Sequence, residues 1–138
     1  LSSAVSKCIS LGFKVNYFKL VAKSIRNGFL DFKLSNEKID KLVDQGLIFY
    51  IITLLVSYSR SLVLGKIKDG NGKKIRRNLI KEILKDDEIV KAAKTYSPSL
   101  QESKWIPKAI AFKSRFFLEL ACDLRAKEVV KKRSAGKE

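Results

Sequence analysis

The residues that could carry out catalysis are few. The chain contains no histidine, and its two cysteines, Cys8 and Cys122, lie far apart in the sequence. A serine or cysteine nucleophile needs a base beside it, and a zinc site needs several Cys or His ligands at short spacing. The sequence therefore predicts neither a histidine-assisted nucleophile nor a metal centre, and we expect no cofactor.

Four of the 14 acidic residues form the one acidic patch of the sequence, the triplet Asp-Asp-Glu at residues 86–88 with Glu82 just before it. Paired carboxylates can act as general acid and base. Acids at a junction between helices, however, usually cap a helix, and the pattern here favours a cap followed by a restarted helix. We therefore predict that the protein is not an enzyme.

A turn at residues 69–72, within a lysine-rich stretch, contains the dipeptides Asp-Gly and Asn-Gly. Its glycines lack the G-K-[ST] ending of a phosphate-binding loop, and Lys73 and Ile80 stand where a calcium loop needs oxygen ligands. These dipeptides favour tight turns, so residues 66–77 are predicted to form a small two-stranded hairpin or a plain basic loop.

Net charge is the strongest indication of function. The 138 residues include 29 Lys and Arg against 14 Asp and Glu, a net charge of +15. A protein that tolerates this much self-repulsion usually has a polyanionic partner. Nucleic acid is the first candidate and anionic lipid headgroups are the second, while a basic scaffold that docks an acidic protein is a third.

Two basic patches are predicted to contact nucleic-acid backbone without reading bases. The first surrounds the turn at residues 69–72 and consists of Lys66, Lys68, Lys73, Lys74, Arg76 and Arg77. The second lies on the exposed face of the predicted first helix and consists of Lys19, Lys23 and Arg26. Trp105 and Tyr96 lie near basic loops and can stack on single-stranded bases, although a place at the edge of the core is favoured for both.

The segment around which the fold must pack is Gln45–Ser59, fifteen residues without a charge. A membrane-spanning helix needs about 20 apolar residues, so this segment is predicted to be buried in protein rather than lipid. Its apolar residues point in every direction, which predicts that other helices cover it. We expect a central helix over about 36–65, capped at Ser35 or Asn36 and ended by a left-handed Gly65.

The rest of the chain reads as further helices of a single all-α domain. Helices are predicted over Ser2–Gly28, over Arg77–Tyr96 with a restart at the acidic triplet, and from Pro107 to about Lys132, with a loop at Ser97–Lys104. Residues 1–138 should therefore form a bundle of four to five helices around the central one.

Two features bear on the origin and location of the chain. It begins at Leu1 and contains no methionine, which suggests a segment of a longer reading frame. Two isolated thiols are typical of a reducing compartment, so a cytoplasmic location is expected.

In its size, basic charge and all-helical character, the whole chain resembles the small subunits of CRISPR effector complexes. This resemblance implies a non-catalytic subunit that holds nucleic acid through basic residues and contacts other protein subunits of a ribonucleoprotein. It is the leading hypothesis from the sequence.

The stretch KAAKTYSPSLQESKWIPKAIAFKSRFFLELACDLRAKE at Lys91–Glu128 is similar to the helical C-terminal ends of family 2 polysaccharide glycosyltransferases. That resemblance covers about a quarter of the chain. The family's sugar-nucleotide domain and Asp-x-Asp motif are absent from these residues. On this alternative the chain is an accessory domain whose basic faces meet a membrane surface.

Overall fold

The computed structural model describes residues 20, 23, 24, 26–28, 35–67 and 71–135. The five long helical segments are α1 (Asn36–Val63), α2 (Gly72–Lys85), α3 (Asp87–Lys94), α4 (Trp105–Ala111) and α5 (Arg115–Ala135). The described residues before position 35 are also helical, and no strand occurs in the described part of the chain. The prediction of an all-α fold around one long central helix is confirmed.

The ends of α1 follow from local chemistry. The hydroxyl of Ser35 accepts a hydrogen bond from the backbone N–H of Lys38 at 3.3 Å, which satisfies one of the unpaired donors of the first turn. At the other end Gly65 has a φ of 67°, and the next N–H, of Lys66, bonds to the carbonyl of Ser61 at 3.0 Å. Glycine stops the helix because it adopts the left-handed conformation without strain.

The middle of α1 forms the centre of the core. Ile48, Ile51 and Leu55 are completely buried, and α5, α3, α2 and α4 all pack against this helix. By length and composition α1 also resembles a membrane-spanning helix, as the core helices of many soluble proteins do. Phe49 is half exposed, so one face of α1 remains accessible in the described structure.

The acidic triplet caps a helix, as the sequence predicts. α2 ends at Lys85, and the carboxylate of Asp86 accepts hydrogen bonds from the N–H groups of Glu88 at 3.1 Å and Ile89 at 3.3 Å. The negative charges of the first α3 turn also lie at the positive end of the helix dipole.

The prediction of a hairpin or loop over residues 66–77 is wrong for its second half, because α2 already begins at Gly72. From Ile75 onward the apolar side chains follow helical spacing, and their burial outweighs the turn preference of the glycine dipeptides. Gly72 lies close against the core, since a Cβ there would approach Leu62 Cδ2 to 2.7 Å and Ile67 Cγ2 to 2.9 Å. Residues 68–70 lie outside the described chain.

The predicted single helix from Pro107 to Lys132 is in fact two helices, α4 and α5. The chain turns at Lys113, whose φ is 56°, and Ser114 starts α5 by accepting a hydrogen bond from the N–H of Phe117 at 3.3 Å. The turn allows Ile110 of α4 and Leu118 of α5 to reach the same core.

Replacement of Asp86 by Ala should lower the free energy of unfolding by about 1 kcal/mol, because two N–H groups lose their acceptor. Urea denaturation followed by circular dichroism measures this. The matched control is Asp87→Ala, which removes an exposed carboxylate and a 3.5 Å surface ion pair with Lys113 and should change stability by less than about 0.5 kcal/mol. An equal destabilisation of both variants would contradict the capping role of Asp86.

Candidate nucleic-acid interface

A row of basic side chains follows the exposed side of α2. It consists of Lys73, Lys74, Arg77, Lys81 and Lys85, all of them exposed, and we call it the α2 basic row. At about 100° per residue these positions fall within an arc of about 120°. With a rise of about 1.5 Å per residue, the row is about 18 Å long.

Most of the row is free to meet an external anion. The four lysines make no ion pair with any described residue. Arg77 is half exposed, and its Nε lies 3.3 Å from Glu119 Oε1 on α5. Glu82, the one acid of α2, is exposed but lies about 60° outside the arc. The row therefore presents a surplus of positive charge.

Arg76, a predicted binding residue, does not belong to this surface, and the prediction is wrong for it. Its side chain is 3% exposed and donates hydrogen bonds from Nη1 to Ser59 Oγ at 2.9 Å and to Asp123 Oδ1 at 2.5 Å. Position 76 falls on the side of α2 that carries Leu79, Ile80 and Ile83 into the core. Arg76 therefore joins α1, α2 and α5, and a phosphate group has no access to it.

Of the other five residues of the first predicted patch, four are exposed and one lies outside the described chain. Lys66 is exposed directly after α1, whereas Lys68 lies outside the described residues. Lys73, Lys74 and Arg77 belong to the α2 basic row. The structure thus places four of the six predicted residues on the exposed surface.

Fewer side chains of the second predicted patch are free to contact nucleic acid than the sequence predicts. Lys19 lies outside the described residues. Lys23 is exposed, and Arg26 forms an ion pair with Asp40 of α1. Lys23 is therefore the member of this patch that remains without an ion pair among the described residues.

Sequence analysis missed Lys81 and Lys85. Their signal was the helical spacing of residues 74, 77, 81 and 85, which places basic side chains on one face. The predicted helix began at Arg77 rather than at Gly72, so Lys73 and Lys74 were not placed on the same helix face as Lys81 and Lys85.

The two aromatic residues considered for base stacking occupy different environments. The hydroxyl of Tyr96 donates a hydrogen bond to Glu102 Oε1 at 2.6 Å, and burial together with this hydrogen bond raises the pKa of Tyr96. Tyr96 is thus held at the edge of the core. Trp105 is 59% exposed and packs edge-on against Phe117 at 6.1 Å between ring centroids.

The described residues include neither an accessible thiol nor a cluster of metal ligands. Cys122 is fully buried, and desolvation raises the pKa of its thiol to about 12, so it stays protonated at neutral pH. No three metal-ligating side chains come together within the described ranges. The α2 basic row is the arrangement with the clearest chemical use.

No family model matches the chain, and neither a curated protein nor a solved structure matches it. No relative therefore assigns a role to any of these residues.

Replacement of Arg76 by Ala should lower the free energy of unfolding by about 2–3 kcal/mol, because Asp123 and Ser59 lose their buried partner. The neighbouring variant Arg77→Ala removes a half-exposed pair and should cost less than about 1 kcal/mol. Chemical denaturation of both variants checks this. A similar destabilisation of the two would contradict the structural role of Arg76.

Cys122 should react with a thiol reagent only when the protein unfolds, because its sulfur is buried and protonated. A Cys8→Ser variant isolates this thiol, since the chain has two cysteines. Titration with Ellman's reagent should release less than about a tenth of the colour under native conditions that it releases in guanidinium. Rapid, complete reaction of the folded variant would show that Cys122 is accessible.

Proposed function

We propose that the protein is a non-catalytic helical subunit that binds the backbone of nucleic acid, independently of sequence, within a larger cytoplasmic ribonucleoprotein. The observation that carries this proposal is the α2 basic row, five bases along one exposed helix face of a chain with net charge +15. Small subunits of CRISPR effector complexes, which the chain resembles in size and charge, would be one such setting.

The chemistry of the row suits phosphate contacts better than base contacts. Four of its five members are lysines, and a lysine offers a mobile point charge rather than the planar fork with which arginine recognises guanine. Each phosphate that a lysine neutralises releases counterions, a gain that does not depend on the base. The expected complex is therefore sensitive to salt and indifferent to sequence.

The dimensions of the row also suit a nucleic-acid strand. One duplex strand carries a phosphate about every 3.4 Å of its axis, so an 18 Å row spans about five phosphates. α2 is rigidly fixed by its buried side, since Leu79, Ile80 and Ile83 are at most 5% exposed. The lysines are thus presented on a stable support.

The affinity of the protein for a single-stranded oligonucleotide should fall steeply with salt. The combined variant Lys81→Glu, Lys85→Glu should reduce the slope of log affinity against log salt concentration by about 1.4, because each phosphate that a lysine neutralises contributes about 0.7. Fluorescence anisotropy over a salt series measures this slope. Two oligonucleotides of different sequence should give the same result.

The matched control is Lys38→Glu, Lys41→Glu, which changes the net charge equally on α1, where Glu37 and Asp40 are interspersed. It should leave the slope within about 0.3 of the original, because no continuous positive row is broken there. The proposal fails if both pairs lower the slope equally, since only net charge would then matter. It also fails if the unmodified protein shows no affinity for nucleic acid at low salt.

A further inference from the structure

A second exposed surface lies where α4 meets α5. Trp105 and Lys108 lie on one face of α4, Phe112 follows directly at the end of this helix, and Phe116 lies in the first turn of α5. We call this group of four the aromatic corner. Trp105, Phe112 and Phe116 are 59%, 78% and 77% exposed, and Lys108 Nζ lies 5.2 Å from the centre of the Trp105 ring. Large exposed apolar patches, unlike single exposed side chains, mark interaction surfaces.

The apolar surface continues away from the aromatic corner along α5. Leu120 and Leu124 follow Phe116 at intervals of four residues and line a groove of about 430 Å³ together with Trp105. Leu100 also lines the groove and is almost fully exposed. Six of the eleven large exposed hydrophobic residues of the described chain therefore belong to the aromatic corner or to this groove.

The segment that carries the aromatic corner is rich in bases. The segment from Ser103 to Leu118 contains no acid and four bases, which are Lys104, Lys108, Lys113 and Arg115. Lys113 and Arg115 lie in the turn between the two phenylalanines, and Lys113 Nζ is 3.5 Å from an exposed carboxylate oxygen of Asp87. The tip of the corner thus combines apolar rings with positive charge.

We propose that the aromatic corner docks on an anionic lipid bilayer, with Phe112 and Phe116 inserted among the headgroups and the surrounding lysines and Arg115 paired with lipid phosphates. Trp and Phe beside Lys and Arg are the residues that surface-binding proteins place at the boundary of headgroups and acyl chains. Each basic residue near an anionic leaflet adds attraction. This site is distinct from the α2 basic row and adds a binding partner to the proposed function.

The composition of the aromatic corner favours a bilayer over a protein partner or a nucleic-acid strand. The core of a protein–protein interface is depleted of lysine, whereas here lysine is interspersed with the rings. A nucleic-acid strand would stack on the aromatic rings but would gain nothing from the aliphatic side chains of Leu100, Leu120 and Leu124. A bilayer accommodates the rings, the aliphatic side chains and the positive charge together.

Trp105 is the one tryptophan of the chain, so its intrinsic fluorescence can report vesicle binding at the aromatic corner. Its fluorescence should shift to shorter wavelength when vesicles of phosphatidylglycerol and phosphatidylcholine are added, and lipids with brominated acyl chains should quench it. Vesicles of phosphatidylcholine alone should bind at least about tenfold more weakly, because the lysines then lack anionic partners.

The combined variant Phe112→Ser, Phe116→Ser should reduce affinity for the anionic vesicles by at least about tenfold, since two apolar rings no longer leave water. Both rings are more than three-quarters exposed, so circular dichroism should show an unchanged fold. The matched control Phe49→Ser, at a half-exposed phenylalanine of α1, should leave vesicle affinity unchanged within about twofold.

Three results would overturn the proposal. One is an unshifted Trp105 spectrum at saturating anionic vesicles, and another is an equal loss of vesicle affinity in the Phe49 control. The third is a phenylalanine double variant that binds vesicles normally but loses affinity for single-stranded oligonucleotide, because the corner would then be a base-stacking site. The Lys81→Glu, Lys85→Glu variant tests the α2 basic row separately, so failure of one proposal leaves the other measurable.

Discussion

The contact between Arg76 and Asp123 fixes the rotation of α2 about its own axis. Arg76 is the one charged side chain that is buried in the described structure, and it also reaches Ser59 of α1. A buried charge is tolerated only when it is paired and hydrogen-bonded, so α2 must keep position 76 toward α1 and α5. With that rotation fixed, the lysines on the opposite side of α2 are directed to solvent.

The packing of α2 against α1 and α5 leaves two exposed surfaces of different composition, the α2 basic row and the aromatic corner. The α2 basic row has positive charge without exposed aromatic residues, a composition that suits the phosphates of a strand. The aromatic corner has exposed rings beside positive charge, a composition that suits a surface with both anionic and apolar layers. α5 contacts α2 through Glu119 and Asp123 and carries Phe116 at its start, so one helix supports both surfaces.

The sequence was sufficient for features that depend on local chemistry or on strong apolar patterning. The central helix, its Ser35 cap, its Gly65 end and the Asp86 cap all follow from residue types at defined positions. Features that depend on tertiary packing were missed. To predict that Arg76 is buried, one would need to know that Asp123, 47 residues later in the sequence, packs beside it. To predict the break at Lys113, one would need to know that α4 and α5 share a core. Lys81 and Lys85 were missed because, with the helix started at Arg77, Lys73 and Lys74 were not placed on the same helix face and the row was not recognised as continuous.

The central claim is that the outward face of α2 meets a polyanionic strand. Quantitative acetylation of lysines, read by mass spectrometry with and without a saturating single-stranded oligonucleotide, tests it residue by residue. We expect Lys74, Lys81 and Lys85 to become at least about fivefold less reactive in the complex, while Lys38 and Lys41 keep their reactivity. Equal reactivity of the α2 lysines with and without the oligonucleotide would contradict it.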